Sequence, residues 1–279
     1  ALDAVTKLVN VLGAGHLPEE AAPYFSGARL FGGKKKDGEI RPIAVGNITR
    51  RLVSKCFSFA LAVKAAQLLA PFQLGVGVRG GCEALVHTVR ALMEDPNTSP
   101  DTCCLLQVDL INAFNRVDRA TAFREVRRLF PELARWFEST YGTQAELMFG
   151  EAVILSCDGF HQGDPLACLF FAVVLHPIIL RIAAEVPGLL LNGWFLDDGS
   201  LIGNFRDLTR AVDIIRDEGP TKGLFLSTSA TTPRPKSTIW CPHLPSQDPD
   251  PLGHGIPRIQ EPGIVLLGSP LGSHHYVHE

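Results

Sequence analysis

Two apolar runs that meet at a pair of adjacent carboxylates constrain this chain more than any other stretch. Phe195-Leu196-Asp197-Asp198-Gly199 lies between Leu189 to Trp194 and Ser200 to Gly203. Leu189-Leu190-Leu191 and Trp194-Phe195-Leu196 read as one strand and Ser200-Leu201-Ile202 as the next, with Asp198-Gly199 as a strong two-residue hairpin signal. The carboxylates are therefore expected at a hairpin tip. Adjacent like charges repel, and apolar flanks leave them little water, so the arrangement is costly unless a cation is held there. Carboxylate oxygens on a rigid turn suit Mg²⁺. The local alternative is a solvated Asp-Asp-Gly turn, and this stretch alone leaves both open.

A chain of 279 residues is long enough for roughly two domains, and 46% hydrophobic residues can fill a sizeable core. The net charge of -3 means that any basic surface for phosphate must be local. Seven cysteines, two of them adjacent at Cys103-Cys104 in an apolar run, read as buried free thiols and favour an intracellular setting. The chain opens at Ala1, and Leu2, Val5, Leu8, Val9 and Leu12 recur at helical spacing, so it is expected to begin inside a longer protein. The longest apolar run, Pro165 to Leu175, falls short of the ~20 residues that span a bilayer, and no membrane span is expected.

Ahead of the carboxylates, Ala28 to Lys36 and Glu39 to Val45 flank Asp37-Gly38, another hairpin signal. Pairing across a two-residue turn sets Lys34 opposite Arg41, and like charges in that position are unfavourable unless an anion such as a triphosphate lies between them. A solvated basic hairpin is the alternative, and a bulge would exchange Lys35 for Lys34. Thr49 to Leu69 reads as one helix with Leu52, Cys56, Phe59, Val63, Ala66 and Leu69 inward, stopped by Pro71. Gly75-Val-Gly77-Val-Arg-Gly80 matches a dinucleotide-binding pattern, but a helix and Pro71 precede it where that pattern needs a strand.

Cys103 to Val108 is typical of a buried strand, and Asp109 at its end needs a partner or a metal. The next helix turns Ala122, Phe123, Val126, Leu129 and Phe130 inward and Arg124, Arg127 and Arg128 outward. In Gly159 to Leu166, Asp164 is a natural helix N-cap with Pro165 behind it, while Gly163 admits the close approach of another backbone and Gln162 is placed to hydrogen-bond it. From Pro233 to Pro262 eight prolines suggest an irregular insertion. Cys241-Pro-His243 and the terminal histidines lack paired zinc spacing. Gly263 to Gly268 reads as one more apolar strand.

The order of these motifs resembles the reverse transcriptases, especially those of non-LTR retrotransposons. The match covers roughly residues 28 to 272: Lys34 to Ile43 (KKKDGEIRPI), Asp109 to Arg119 (DLINAFNRVDR), Gln162 to Leu166 (QGDPL), Phe195 to Asp198 (FLDD), Lys222 to Leu226 and the Gly263 to Gly268 strand. The resemblance implies an α+β right-hand polymerase with fingers and palm, the palm an antiparallel sheet backed by helices. Fingers would span 1–100 with an excursion at about 120–158, and the palm 101–119 and 159–279 with a primer-grip strand; no thumb is expected after residue 272. It implies RNA-directed DNA synthesis on an RNA or DNA template, with a primer strand and dNTPs. Asp109 and Asp197 would hold two Mg²⁺ ions, supported by Asp198. Lys34, Arg41, Phe114, Gln162 and Gly163 would contact the nucleotide, Phe114 excluding a 2′-hydroxyl.

The pattern departs from the family after Gly223, where a lysine is reached only at Lys236, so the general acid for pyrophosphate is not assigned. Two alternatives stand beside DNA synthesis: a catalytically weak or domesticated palm that binds nucleic acid, and an RNA-templated RNA polymerase. The three carboxylates speak against the first and the ring of Phe114 against the second.

Overall fold

The computed structural model describes residues 1–34, 38, 40–99, 103–244 and 248–278, and the backbone alone for Glu19 and His278. The chain begins α1 (Leu2–Gly13), α2 (Ala22–Ser26), β1 (Ala28–Lys34), β2 (Ile40–Gly46), α3 (Ile48–Ala60), α4 (Ala62–Leu69) and α5 (Gly81–Glu94). Then come β3 (Cys104–Val108), α6 (Ala113–Arg116), α7 (Arg119–Leu129), α8 (Ala134–Tyr141), β4 (Ala145–Phe149), β5 (Ala152–Ser156) and α9 (Ala167–Glu185). The order closes with β6 (Leu191–Phe195), β7 (Asp198–Gly203), α10 (Phe205–Glu218), β8 (Thr238–Trp240), β9 (Arg258–Ile259), β10 (Gly263–Leu266), β11 (Ser269–Gly272) and α11 (His274–His278). Contacts divide the chain into two compact units, Ala1–Val63 with Asn112–Val174 and Lys64–Ile111 with Leu175–Glu279.

The first unit carries a sheet in the order β2-β1-β4-β5. β1 and β2 are antiparallel, with Gly33 opposite Arg41 and Lys34 opposite Ile40. This corrects the expected register: the observed pairing is centred on residue 37 rather than between Asp37 and Gly38, so Lys34 and Arg41 are one step apart and point to opposite faces. Lys35, the alternative partner, lies outside the described residues.

Below the sheet, a buried ionic and aromatic network replaces the simple apolar face expected of α3. Arg50 is buried, and its Nη2 donates to Asp164 Oδ2 at 3.1 Å while Nη1 donates to the carbonyls of Ser26 (2.8 Å) and Phe25 (3.3 Å). Tyr141 donates its hydroxyl to the same Asp164 oxygen at 2.9 Å, and Asp164 Oδ1 accepts from Leu166 N–H at 3.0 Å. Asp164 is thus the counter-ion of Arg50 and holds the turn that leads into α9; the helix itself starts at Ala167, two residues beyond the Pro165 start expected from the sequence. Drawing Arg50 inward turns Val53 and Ser54 to the core and leaves Leu52, Phe59 and Val63 exposed, contrary to the periodicity. The expected single helix is also broken at Leu61, with a 59° bend between α3 and α4.

Phe137 centres the aromatic cluster, meeting Phe123, Tyr141, Phe160 and Phe170 at ring-centroid separations of 5.0 to 6.1 Å. Arg119 is a second buried guanidinium, donating from Nε to Gly159 O (2.8 Å) and from its Nη atoms to Ser156 O (2.9 Å), Ser156 Oγ (2.7 Å) and Asp158 O (3.1 Å). Burial lowers its pKa, but a guanidinium starts so high that the charge persists.

The second unit is built on a sheet in the order β6-β7-β3-β8-β9. β3 is central because Cys104, Leu105, Leu106 and Val108 are all buried, as an unbroken apolar run requires. β7 and β8 flank it antiparallel, and β9 joins β8 in parallel. β8 and β9 come from the proline-rich stretch read as irregular; Ile239 and Trp240 are buried, as befits β8 lying between β3 and the edge strand β9. β10 and β11 form a separate hairpin whose Ile264, Leu266 and Leu271 pack with α5 residues Leu85, Val86 and Val89. All seven cysteines are free; Cys103, Cys104 and Cys241 are buried, whereas Cys56 and Cys157 are exposed.

α9 is apolar on nearly every side and continues through His176-Pro177, past the point where the sequence run ended. Its length and composition would allow a membrane crossing, and the 67% burial of its most apolar window accounts for that composition as a core helix.

One buried group makes the first unit acid-sensitive. His161 is buried, and among the described residues neither ring nitrogen has a hydrogen-bond partner. Burial, with Arg50 nearby, pushes its pKa down to about 3. The folded state then holds the ring neutral while the unfolded chain protonates it near pH 6.5, so its stabilising neutrality is fully present above about 6.5 and lost as pH falls toward 3. Urea unfolding at pH 7.5 and pH 5.0 should show wild type losing about 2 kcal/mol more than His161→Phe across that interval.

Candidate active site

Asp109 leaves the end of β3 half-buried, and its backbone is held from both sides. The Ser237 hydroxyl accepts from Asp109 N–H at 3.0 Å and donates to Asp109 C=O at 3.1 Å, and Ser227 N–H donates to the same carbonyl at 2.9 Å. Ser227 Oγ in turn accepts from Lys236 N–H at 3.0 Å. These serines were missed in the sequence: Ser237 inside the proline-rich stretch and Ser227 just ahead of it carry no signal until β8 folds beside β3.

The other two carboxylates follow from the β6–β7 hairpin. Phe195 pairs with Asp198 and Trp194 with Gly199, so the turn residues are Leu196 and Asp197, not Asp198-Gly199 as the sequence suggested. Asp197 sits in the turn half-buried, and Asp198 is the exposed first residue of β7. Gly199 is needed for packing instead: a Cβ there would lie 2.8 Å from the Trp194 ring and 2.9 Å from Val108 Cβ. The turn is conformationally costly, since Leu196 has φ +57, a region that disfavours a side chain by about 1–2 kcal/mol.

In the β3–β7 ladder Val108 pairs with Gly199, so the next step brings Asp109 level with Asp198. Both line a cavity of about 330 Å³, together with Lys236 and the 265–267 end of the β10–β11 hairpin. Gln107 ties that hairpin to β3, its Nε2 donating to Val265 O at 3.0 Å. The donors are oxygens, which suits a hard divalent cation. Among the described residues no three His, Cys, Asp or Glu side chains form a closed metal cage; a cation that keeps water and takes phosphate ligands asks only for one or two carboxylates.

The remaining sequence candidates belong to the first unit. Lys34 and Arg41 are exposed on β1 and β2. Phe114 is half-buried in α6 and stacks on Phe171 with centroids 4.7 Å apart and planes 17° from parallel. Gln162 Nε2 donates to Asn115 Oδ1 at 3.4 Å. Gly163 N–H donates to Ala44 O at 3.1 Å, and a Cβ on Gly163 would stand 2.6 Å from that oxygen. The backbone whose close approach the glycine permits is therefore β2 of the same unit.

A family model described as reverse transcriptase (RNA-dependent DNA polymerase) matches residues 33–232. Among solved structures the chain is similar to apo telomerase from Candida tropicalis truncated from its C-terminal domain, with a TM-score of 0.61 and 13% identity over 90% of this chain and 54% of that one. It is also similar to telomerase from Candida albicans in complex with a TWJ fragment of telomeric RNA, at TM-score 0.62 and 11% identity over 93% and 47%. A structure described as an RdRp complex gives a TM-score of 0.51 at 10% identity over 76% and 20%. The chain spans about half the length of the telomerases it matches. No curated protein matches it.

The Gly163 contact generates a stability prediction. Gly163→Ala should force β2 and the 161–165 loop apart at a cost of about 1–3 kcal/mol, read as a lower urea midpoint with an unchanged slope.

Proposed function

The chain belongs to the reverse transcriptase (RNA-dependent DNA polymerase) family, with the right-hand polymerase fold, and from that premise we propose that it adds deoxynucleotides to a primer strand on an RNA or DNA template. The observation that carries this reading is the shared cavity of Asp109, Asp198 and Lys236 at the end of the five-stranded sheet. Asp109, Asp197 and Asp198 would hold two Mg²⁺ ions. When bound, these supply Lewis-acid activation of the primer hydroxyl and neutralise charge on the leaving pyrophosphate.

The chain's own groups do the rest. β3 and the β6–β7 turn hold the carboxylates through their backbones, which limits reorganisation during reaction. Lys236, which lines the same cavity, would donate the proton to the departing pyrophosphate. In the first unit, Lys34 and Arg41 would bind the triphosphate, Gln162 and Gly163 the nucleotide and template, and Phe114 the sugar. We assign the β10–β11 hairpin to the primer grip. The second unit, with β3, β7 and their carboxylates, is read as the catalytic part of the palm, and the β1–β2 hairpin as part of the fingers.

A second reading, RNA synthesis, is favoured by one observation: the Phe114 ring stacks on Phe171, as a core aromatic would. Two variants test these readings. Asp109→Asn should abolish Mg²⁺-dependent primer extension without lowering the metal-free melting temperature, because removing a charge relieves repulsion; near-normal extension would remove Asp109 from the chemistry.

Phe114→Ala should raise ribonucleotide incorporation relative to deoxynucleotide incorporation by roughly tenfold or more, since an unpaired polar group costs ~1 to 3 kcal/mol. The measurement is the ratio of kcat/KM for the two nucleotides. An unchanged ratio in a folded, active variant would return the ring to the core and favour RNA synthesis.

A further inference from the structure

The segment between α4 and α5, whose glycines matched a dinucleotide pattern, is packed against the carboxylate turn. Leu74 N–H donates to Trp194 O and Trp194 N–H donates to Phe72 O, both at 2.7 Å, so residues 72–74 run alongside the end of β6. Between them, Gln73 pairs with Trp194 as a parallel bridge and is fully buried. Its side-chain amide reaches the turn. Oε1 accepts from Leu196 N–H at 2.7 Å, and Nε2 donates to Leu196 C=O at 3.0 Å. Oε1 also accepts from Gly75 N–H at 3.0 Å, which fixes the amide in one orientation. One side chain therefore satisfies both backbone groups of the residue that has φ +57 and immediately precedes Asp197.

We propose that Gln73 is a positioning residue for the carboxylates: its amide locks Leu196 in the left-handed conformation and so aims Asp197 and Asp198. The inference rests on the reading of those carboxylates as the metal-holding groups. A non-glycine residue at positive φ persists only where its surroundings over-determine it, and among the described contacts the Gln73 amide makes two of the bonds that do so. The residue type is specific. Leucine or methionine would fill the volume without either bond. Glutamate could not donate to Leu196 C=O and would bury a third negative charge near two others. Misplacement of a catalytic group by about 1 Å can cost ~100-fold in rate, so a clamp one residue from the carboxylate acts on chemistry more than on nucleotide affinity.

The test uses single-turnover primer extension with Mg²⁺ and a direct titration with Mn²⁺ followed by electron paramagnetic resonance. Wild type, Gln73→Met, Asp197→Asn and Gln73→Met/Leu196→Asn are compared, with circular dichroism to confirm folding. Gln73→Met should lower the maximal rate 10- to 100-fold while the nucleotide dissociation constant stays within threefold, and should weaken Mn²⁺ binding at least threefold. Asparagine tolerates the left-handed region, so the double variant should recover at least fivefold of the lost rate and tighten Mn²⁺ again. Gln73→Met at wild-type rate and Mn²⁺ affinity, or a double variant no better than the single, overturns the proposal. If Asp197→Asn itself extends primers and binds Mn²⁺ like wild type, the carboxylate assignment falls and the inference falls with it, a result distinct from failure of the clamp alone.

Discussion

Like charges at Asp197 and Asp198 repel, so attraction between the two side chains cannot keep them side by side; their positions are set through the backbone. The β3–β7 register does most of this. Val108 opposite Gly199 brings Asp109 level with Asp198, and the small side of that pair lets Trp194 and Val108 close over it. Ser237 and Ser227 then hold the Asp109 backbone by its N–H and C=O. The proposed chemistry depends on this arrangement because hydrogen-bonded backbone does not have to reorganise when charge moves.

The first unit uses a different means of holding its loops. Two buried guanidinium groups, Arg50 and Arg119, gather carbonyls and one carboxylate from distant parts of the sequence. A buried ion pair is seldom a large net source of stability, because desolvation offsets the attraction. Its effect here is geometric: Asp164 cannot satisfy Arg50, Tyr141 and Leu166 N–H together unless the 159–166 loop adopts one path. That path is what lays Gly163 against Ala44.

Much of the architecture was legible because local pattern and burial agree. The Cys103 to Val108 run had to be a covered strand, the α7 face had to divide as it does between Val126 and Arg127, and Asp164 had to lie at the turn into an apolar helix. Family membership was equally legible, since ordered motifs survive as residue types at spacings.

What the sequence by itself determined was which segments are apolar, where carboxylates end strands and which motif order they follow, all properties carried by neighbouring residues. The tertiary structure alone decided the hairpin registers, the turn at Leu196-Asp197, the inward face of α3 and the recruitment of Ser237 and β8 to the sheet. The physical reason is range. A Gly after an Asp looks like a turn until Trp194 and Val108 are seen to require its missing side chain, and an arginine on a helix looks solvated until Asp164, far along the chain, draws it inward.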